Sequence, residues 1–65
     1  MNNNLKKVII AAGGTGGHIF PGYSLAKHFI DQKIDVELIS DKRGLKYLKN
    51  YRDVKTIQIP SSTIF

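Results

Sequence analysis

The chain has 65 residues and no cysteine, so it accommodates one small domain at most, with neither a disulfide nor a thiolate metal site to reinforce it. Ten lysines and arginines stand against five acids, a formal net charge of +5, with the excess spread along the second half at Lys42, Arg43, Lys46, Lys49, Arg52 and Lys55. No stretch approaches the ~20 apolar residues needed to cross a bilayer, and the polar lead Met1–Lys7 before a short apolar run is not the pattern of a signal peptide, so a cytosolic chain is expected.

Residues 1–4 read as a disordered polar tail. Leu5 to Ala12 is expected as the first strand. Its core, Val8-Ile9-Ile10-Ala11-Ala12, is apolar throughout and does not alternate, which suits a parallel strand covered on both faces. Residues 13–18 are a glycine-dense turn. Pro21 fits the first turn of the following helix, where its missing N–H costs nothing. That helix is expected to reach about Gln32, with Ile19, Tyr23, Ala26, Phe29 and Ile30 forming one apolar stripe. Lys27, His28, Asp31 and Gln32 fall largely on the other side, which makes His28 a surface residue.

A short connection, Lys33-Ile34-Asp35, leads to a second strand at Val36–Ser40. A short amphipathic helix follows, about Gly44 to Asn50, with Leu45 and Leu48 inward and Lys46 and Lys49 outward. The third strand, Lys55–Ile59, alternates, so it is expected to be half exposed or near an edge, and Pro60 ends it. The order β-α-β-α-β with crossovers of this length implies a parallel sheet, half of a doubly wound, Rossmann-like α/β domain. Residues 5–65 are then an incomplete domain of a larger chain, because two helices do not cover both faces of the first strand.

The turn is where chemistry is expected. Glycine tolerates positive φ and leaves its N–H uncovered. The helix behind the turn presents its unpaired N–H groups and the positive end of its dipole, which together make an anion site. The two familiar phosphate motifs do not fit. A dinucleotide fingerprint started at Gly14 and Gly16 meets Ile19 where its third glycine should stand, and a P-loop started at Gly17 and Gly22 meets Tyr23 where its lysine should stand. What remains is a distinct signature, GGTGGHxFPG. Asp41, at the end of the second strand, either caps the short helix or, in a nicotinamide dinucleotide-binding oxidoreductase, binds a ribose. His18 and His28 lack the cysteine or carboxylate company of a metal site, and no cofactor is expected. The basic second half reads as a solvated face or as attraction to anionic lipid; without base-stacking aromatics, apart from Tyr47 and Tyr51, nucleic acid is not expected.

Residues 8–26, VIIAAGGTGGHIFPGYSLA, resemble the start of the MurG-like glycosyltransferases of peptidoglycan synthesis. The resemblance implies the N-terminal, acceptor-side part of a two-domain GT-B enzyme, peripheral at the cytoplasmic face of the bacterial inner membrane. It implies transfer of N-acetylglucosamine from UDP-N-acetylglucosamine to the muramyl-pentapeptide linked to undecaprenyl pyrophosphate. It places Gly14, Thr15, Gly16 and Gly17 on the UDP-sugar, with His18 beside it at the cleft as substrate contact or catalytic base. A relative acting on a sterol or diacylglycerol acceptor is the nearest alternative. The residues that recognise the uridine are expected in a second domain, so this chain alone is expected to be inactive.

Overall fold

A computed structural model describes residues 7–64. The expected tail at 1–4, the first two residues of the expected first strand, and Phe65 lie outside the described residues. The elements run β1 (Lys7–Ala11), α1 (Gly16–Asp31), β2 (Asp35–Ser40), α2 (Lys42–Tyr47), β3 (Lys55–Gln58) and α3 (Ser61–Ile64). All three strands are parallel, in the order β1-β2-β3. The register places Val8 beside Val36, Ile10 beside Leu38, and Ile39 between Ala11 and Ile57.

The α/β half-unit expected from the sequence is therefore present, with β2 as its central strand. α1 and α2 touch each other and both pack on β2, so they cover the same face of the sheet. That face holds the core: Ile19, Ala26, Val36 and Leu38 are buried, and Val8, Ile10, Tyr23, Phe29 and Ile30 pack against them. The apolar stripe read for α1 is the stripe that faces inward.

Among the described residues β1 is covered on one face: Ile9 is 58% exposed, because α1 and α2 share the other side and β1 pairs only with β2. Two expectations are corrected. Pro21 lies in the second turn of α1 rather than the first, since Thr15, in extended backbone, caps a helix that already starts at Gly16. α2 likewise starts at Lys42, ahead of the expected Gly44, because Asp41 caps it: its carboxylate accepts from the Gly44 amide at 2.9 Å. β3 is exposed along its length, as an edge strand should be.

α1 ends in a Schellman arrangement. The Ile34 amide reaches the Phe29 carbonyl at 3.1 Å and the Lys33 amide reaches Ile30 at 2.9 Å. Lys33 holds the left-handed position, φ 66°, where glycine is the usual residue. On the open face, Glu37 pairs with Lys7 at 3.0 Å and Lys55 at 3.6 Å, joining all three strands at one end of the sheet.

Candidate functional site

The glycine turn leaves β1 at the carboxyl ends of the strands, and α2 starts from the same end. Ala12 is still tied to the sheet, its amide donating to the Ile39 carbonyl at 2.9 Å and its carbonyl accepting from the buried Ser40 hydroxyl at 2.7 Å. Beyond it the backbone stops pairing. The amides of Gly13, Gly14, Thr15, Gly16 and Gly17 find no acceptor among the described residues. The His18 amide is the exception within the expected turn: it and the Ile19 amide return to the Thr15 carbonyl, at 3.0 and 2.8 Å. Gly13 and Gly14 are buried as residues, and each borders a hollow beside the turn.

The Thr15 side chain adds to this. A capping threonine ordinarily accepts from the second or third helical amide. Here the hydroxyl makes no such bond. Thr15 Oγ1 meets His18 Nδ1 at 2.9 Å instead, which leaves the Gly17 amide without its usual cap and leaves Nε2 as the ring's free nitrogen. The first turn of α1 carries no acid, so nothing on the helix opposes an anion at its positive end.

The glycines divide into two kinds. No described glycine has positive φ, so backbone freedom is not what the turn uses, contrary to the sequence argument. A Cβ on Gly14 would overlap the Asp41 carboxylate, and one on Gly44 would overlap the Ser40 hydroxyl and stand 3.3 Å from the Gly14 Cα. One on Gly22 would press on the Ala12 Cβ at 3.1 Å. These three are explained by packing. Gly16 and Gly17 are not: their nearest atoms stand at 3.8 Å, ordinary contact distance. A helix that begins with two glycines that packing does not require gives up stability to keep its amides accessible.

Asp41 lies behind the turn and is 1% exposed. Its carboxylate accepts from the Gly44 amide at 2.9 Å, from the Ser61 hydroxyl at 2.8 Å and from Arg43 Nη2 at 3.2 Å. The Gly44 amide foremost, then the Ser61 hydroxyl, hold its pKa below the usual aspartate value. Both oxygens are engaged, so Asp41 is the cap and has nothing left for a ribose; the dinucleotide alternative loses its acid.

Two hollows flank the turn. One, of about 490 Å³, is mostly apolar, with Ile10, Ala12, Pro21 and Leu25 in its walls and His18 at its rim. The other, of about 570 Å³, lies between the turn and α2 and is lined by Gly14, Thr15, Arg43, Lys46 and Tyr47. The structure thus brings the five expected residues, Gly14, Thr15, Gly16, Gly17 and His18, into one turn, and sets beside it three from α2: Arg43 and Lys46, which in sequence read as solvated charge, and Tyr47. Their signal was available: the residues after β2 emerge at the same sheet end as the turn, and Arg43 and Lys46 are three apart on a helix. A third hollow, beside Tyr23, Tyr51 and Asp53, is structural: Tyr23 Oη donates to Asp53 at 2.9 Å and Lys27 pairs with it at 3.0 Å, fastening the loop before β3 to α1.

Parallel strands with crossover helices, and bare amides where the first strand meets its helix, define a Rossmann-like α/β unit. The chain belongs to the glycosyltransferase family 28 N-terminal domain, whose pattern matches residues 8–64. Over 62 residues it is 36% identical to the UDP-N-acetylglucosamine–N-acetylmuramyl-(pentapeptide) pyrophosphoryl-undecaprenol N-acetylglucosamine transferase of Zymomonas mobilis, covering 95% of this chain and 16% of the relative. Similarity to proteins of the same name is 38% over 61 residues in Bartonella tribocorum and 42% over 59 in Bartonella bacilliformis, covering 94% and 91% of this chain and 16% and 15% of theirs. The chain therefore spans about a sixth of the length of these curated relatives. No solved structure matches it.

Proposed function

We propose that the chain is the acceptor-side, N-terminal part of a GT-B transferase. That enzyme moves N-acetylglucosamine from UDP-N-acetylglucosamine to the muramyl-pentapeptide carried on undecaprenyl pyrophosphate. The observation that carries this is the run of bare amides from Gly13 to Gly17. Both substrates bear a diphosphate, and the departing UDP gains negative charge as the glycosidic bond breaks. Fixed amide donors at a helix start stabilise that charge without rearranging. His18 stands beside them with Nε2 free. If the Thr15 hydroxyl donates to Nδ1, Nε2 carries the proton and donates to a phosphate oxygen. If Nδ1 donates to Thr15, the Nε2 lone pair takes the proton of the attacking hydroxyl. Nitrogen-15 NMR of the ring reads which tautomer is present.

The second, nucleotide-recognising domain lies outside this sequence, so residues 5–65 contribute half a site. Among the described residues no helix is long and apolar enough to cross a membrane. The six basic residues of the second half are all exposed, which supports peripheral attachment to anionic lipid at the cytoplasmic face of the inner membrane. Titration with UDP-N-acetylglucosamine and with UDP tests the half-site: weak binding that shifts the amide resonances of residues 13–17, with no sugar transferred, is expected. Turnover by the isolated chain would refute the half-site reading, and unmoved amides would remove its physical basis. Vesicle binding that survives high salt would refute the electrostatic attachment.

A further inference from the structure

We infer that the cleft between the glycine turn and α2 is an anion subsite in which Arg43 and Lys46 bind a phosphate oxygen, so that a diphosphate enters the turn from the α2 side. This rests on the reading of the turn as a diphosphate cradle and adds which of its two flanks takes the charge. Arg43 and Lys46 are one helical turn apart and border the same cleft, of about 570 Å³, within the roughly 300–1,000 Å³ typical of small-molecule sites. Two like charges at that spacing repel unless an anion lies between them.

Arg43 is held for the task. Its Nη2 is fixed to the buried Asp41 at 3.2 Å, while its side chain remains 66% exposed. A guanidinium has five N–H donors in a rigid plane, so one anchored corner leaves the others set for a phosphate. The Asp41 carboxylate that anchors it also accepts from the Gly44 amide and the Ser61 hydroxyl, which fix its position. Tyr47 stands edge-on to Phe20 of α1, centroids 5.5 Å apart, and so holds α2 at a set distance from the turn. The opposite flank has no comparable charge: its walls are mostly apolar, with His18 at the rim. Thr15 borders the basic cleft and bonds to His18, so the histidine approaches a bound diphosphate from the far side.

The test is titration of the 65-residue chain at low salt with inorganic pyrophosphate, UDP and the dicarboxylate glutarate, read by amide shifts and calorimetry. Lys46→Gln removes an exposed cation without touching the core, and Arg43→Lys keeps the charge but loses the fork. Lys33→Gln, at the far end of α1, controls for net charge, and circular dichroism confirms folding. Lys46→Gln is expected to weaken pyrophosphate and UDP about tenfold, the scale of a charge-assisted hydrogen bond. Arg43→Lys should weaken them several-fold, and Lys33→Gln should leave them near wild type. Glutarate bound as tightly as pyrophosphate overturns the phosphate assignment. If Lys46→Gln and Arg43→Lys bind like wild type while Gly17→Ala does not, the subsite is refuted and the turn stands. If the wild-type chain binds no pyrophosphate, both are refuted.

Discussion

Replacing Gly17 with alanine separates folding from ligand binding, because the two should move in opposite directions. Gly17 is the second residue of α1, has no positive φ, and meets only the Thr15 hydroxyl at 3.8 Å in the direction a Cβ would take. An added methyl group is sterically free and removes backbone entropy from the unfolded chain, a gain of about 0.5–1 kcal/mol. At about 4–8 °C per kcal/mol for a domain this small, the melting temperature should rise by about 2–8 °C. If the diphosphate cradle reading holds, the same methyl group crowds the approach of a phosphate oxygen to the amides at the start of α1, on the side of the Thr15 hydroxyl. Losing one hydrogen bond to a charged oxygen there costs about 1.5–3 kcal/mol, so pyrophosphate affinity should fall at least about tenfold. Thermal melting by circular dichroism and calorimetric titration read the two effects on one sample. A variant that melts higher and binds pyrophosphate unchanged would show that the amides are not the ligand contact.

Leu38→Ala empties a fully buried position on the central strand. Its cost of about 2–5 kcal/mol is comparable to the whole stability of a 65-residue domain, roughly 3–10 kcal/mol, so urea melts should show a largely unfolded chain. Lys33→Gly relieves the left-handed backbone at the end of α1 and should stabilise by about 1 kcal/mol in the same assay. Because folding lowers the Asp41 pKa, its contribution is complete above the ordinary aspartate value of about 3.9 and is lost as pH falls through the lowered folded value. Asp41→Asn should therefore melt lower than wild type at pH 7, with the gap closing in acid. A pH-independent gap would show that the carboxylate charge is not what Gly44 and Ser61 stabilise.

The strands and α1 could be read from the sequence because their patterns record local physics: an apolar run, a 3.6-residue stripe, and a proline and glycines as punctuation. What could not be read is what depends on a neighbour distant in sequence. β1 has the composition of a buried strand, yet only the sheet order shows that β2 is central and that Ile9 is exposed. Gly14 looks like a ligand glycine, and is one whose Cβ would collide with a carboxylate 27 positions later. Gly16 and Gly17 look no different in sequence, and only their open surroundings set them apart. The start of α1 was misplaced because Pro21 is a strong helix-start signal, whereas Thr15, the actual cap, spends its hydroxyl on His18 rather than on an amide. Arg43 and Lys46 read as surface charge in the sequence, because the placement of the turn against α2 is a tertiary fact.

Asp41 joins segments that are otherwise separate. One carboxylate grips the first residues of α2 through Gly44 and the first of α3 through Ser61, while the space Gly14 leaves is what lets it sit against the turn. A displacement of α3 thus needs to travel through only one side chain to arrive at the glycine turn. Drawing Ser61 away would strip a partner from a negative charge lodged directly behind the amides, so the start of α3 and the glycine turn behave mechanically as one joint.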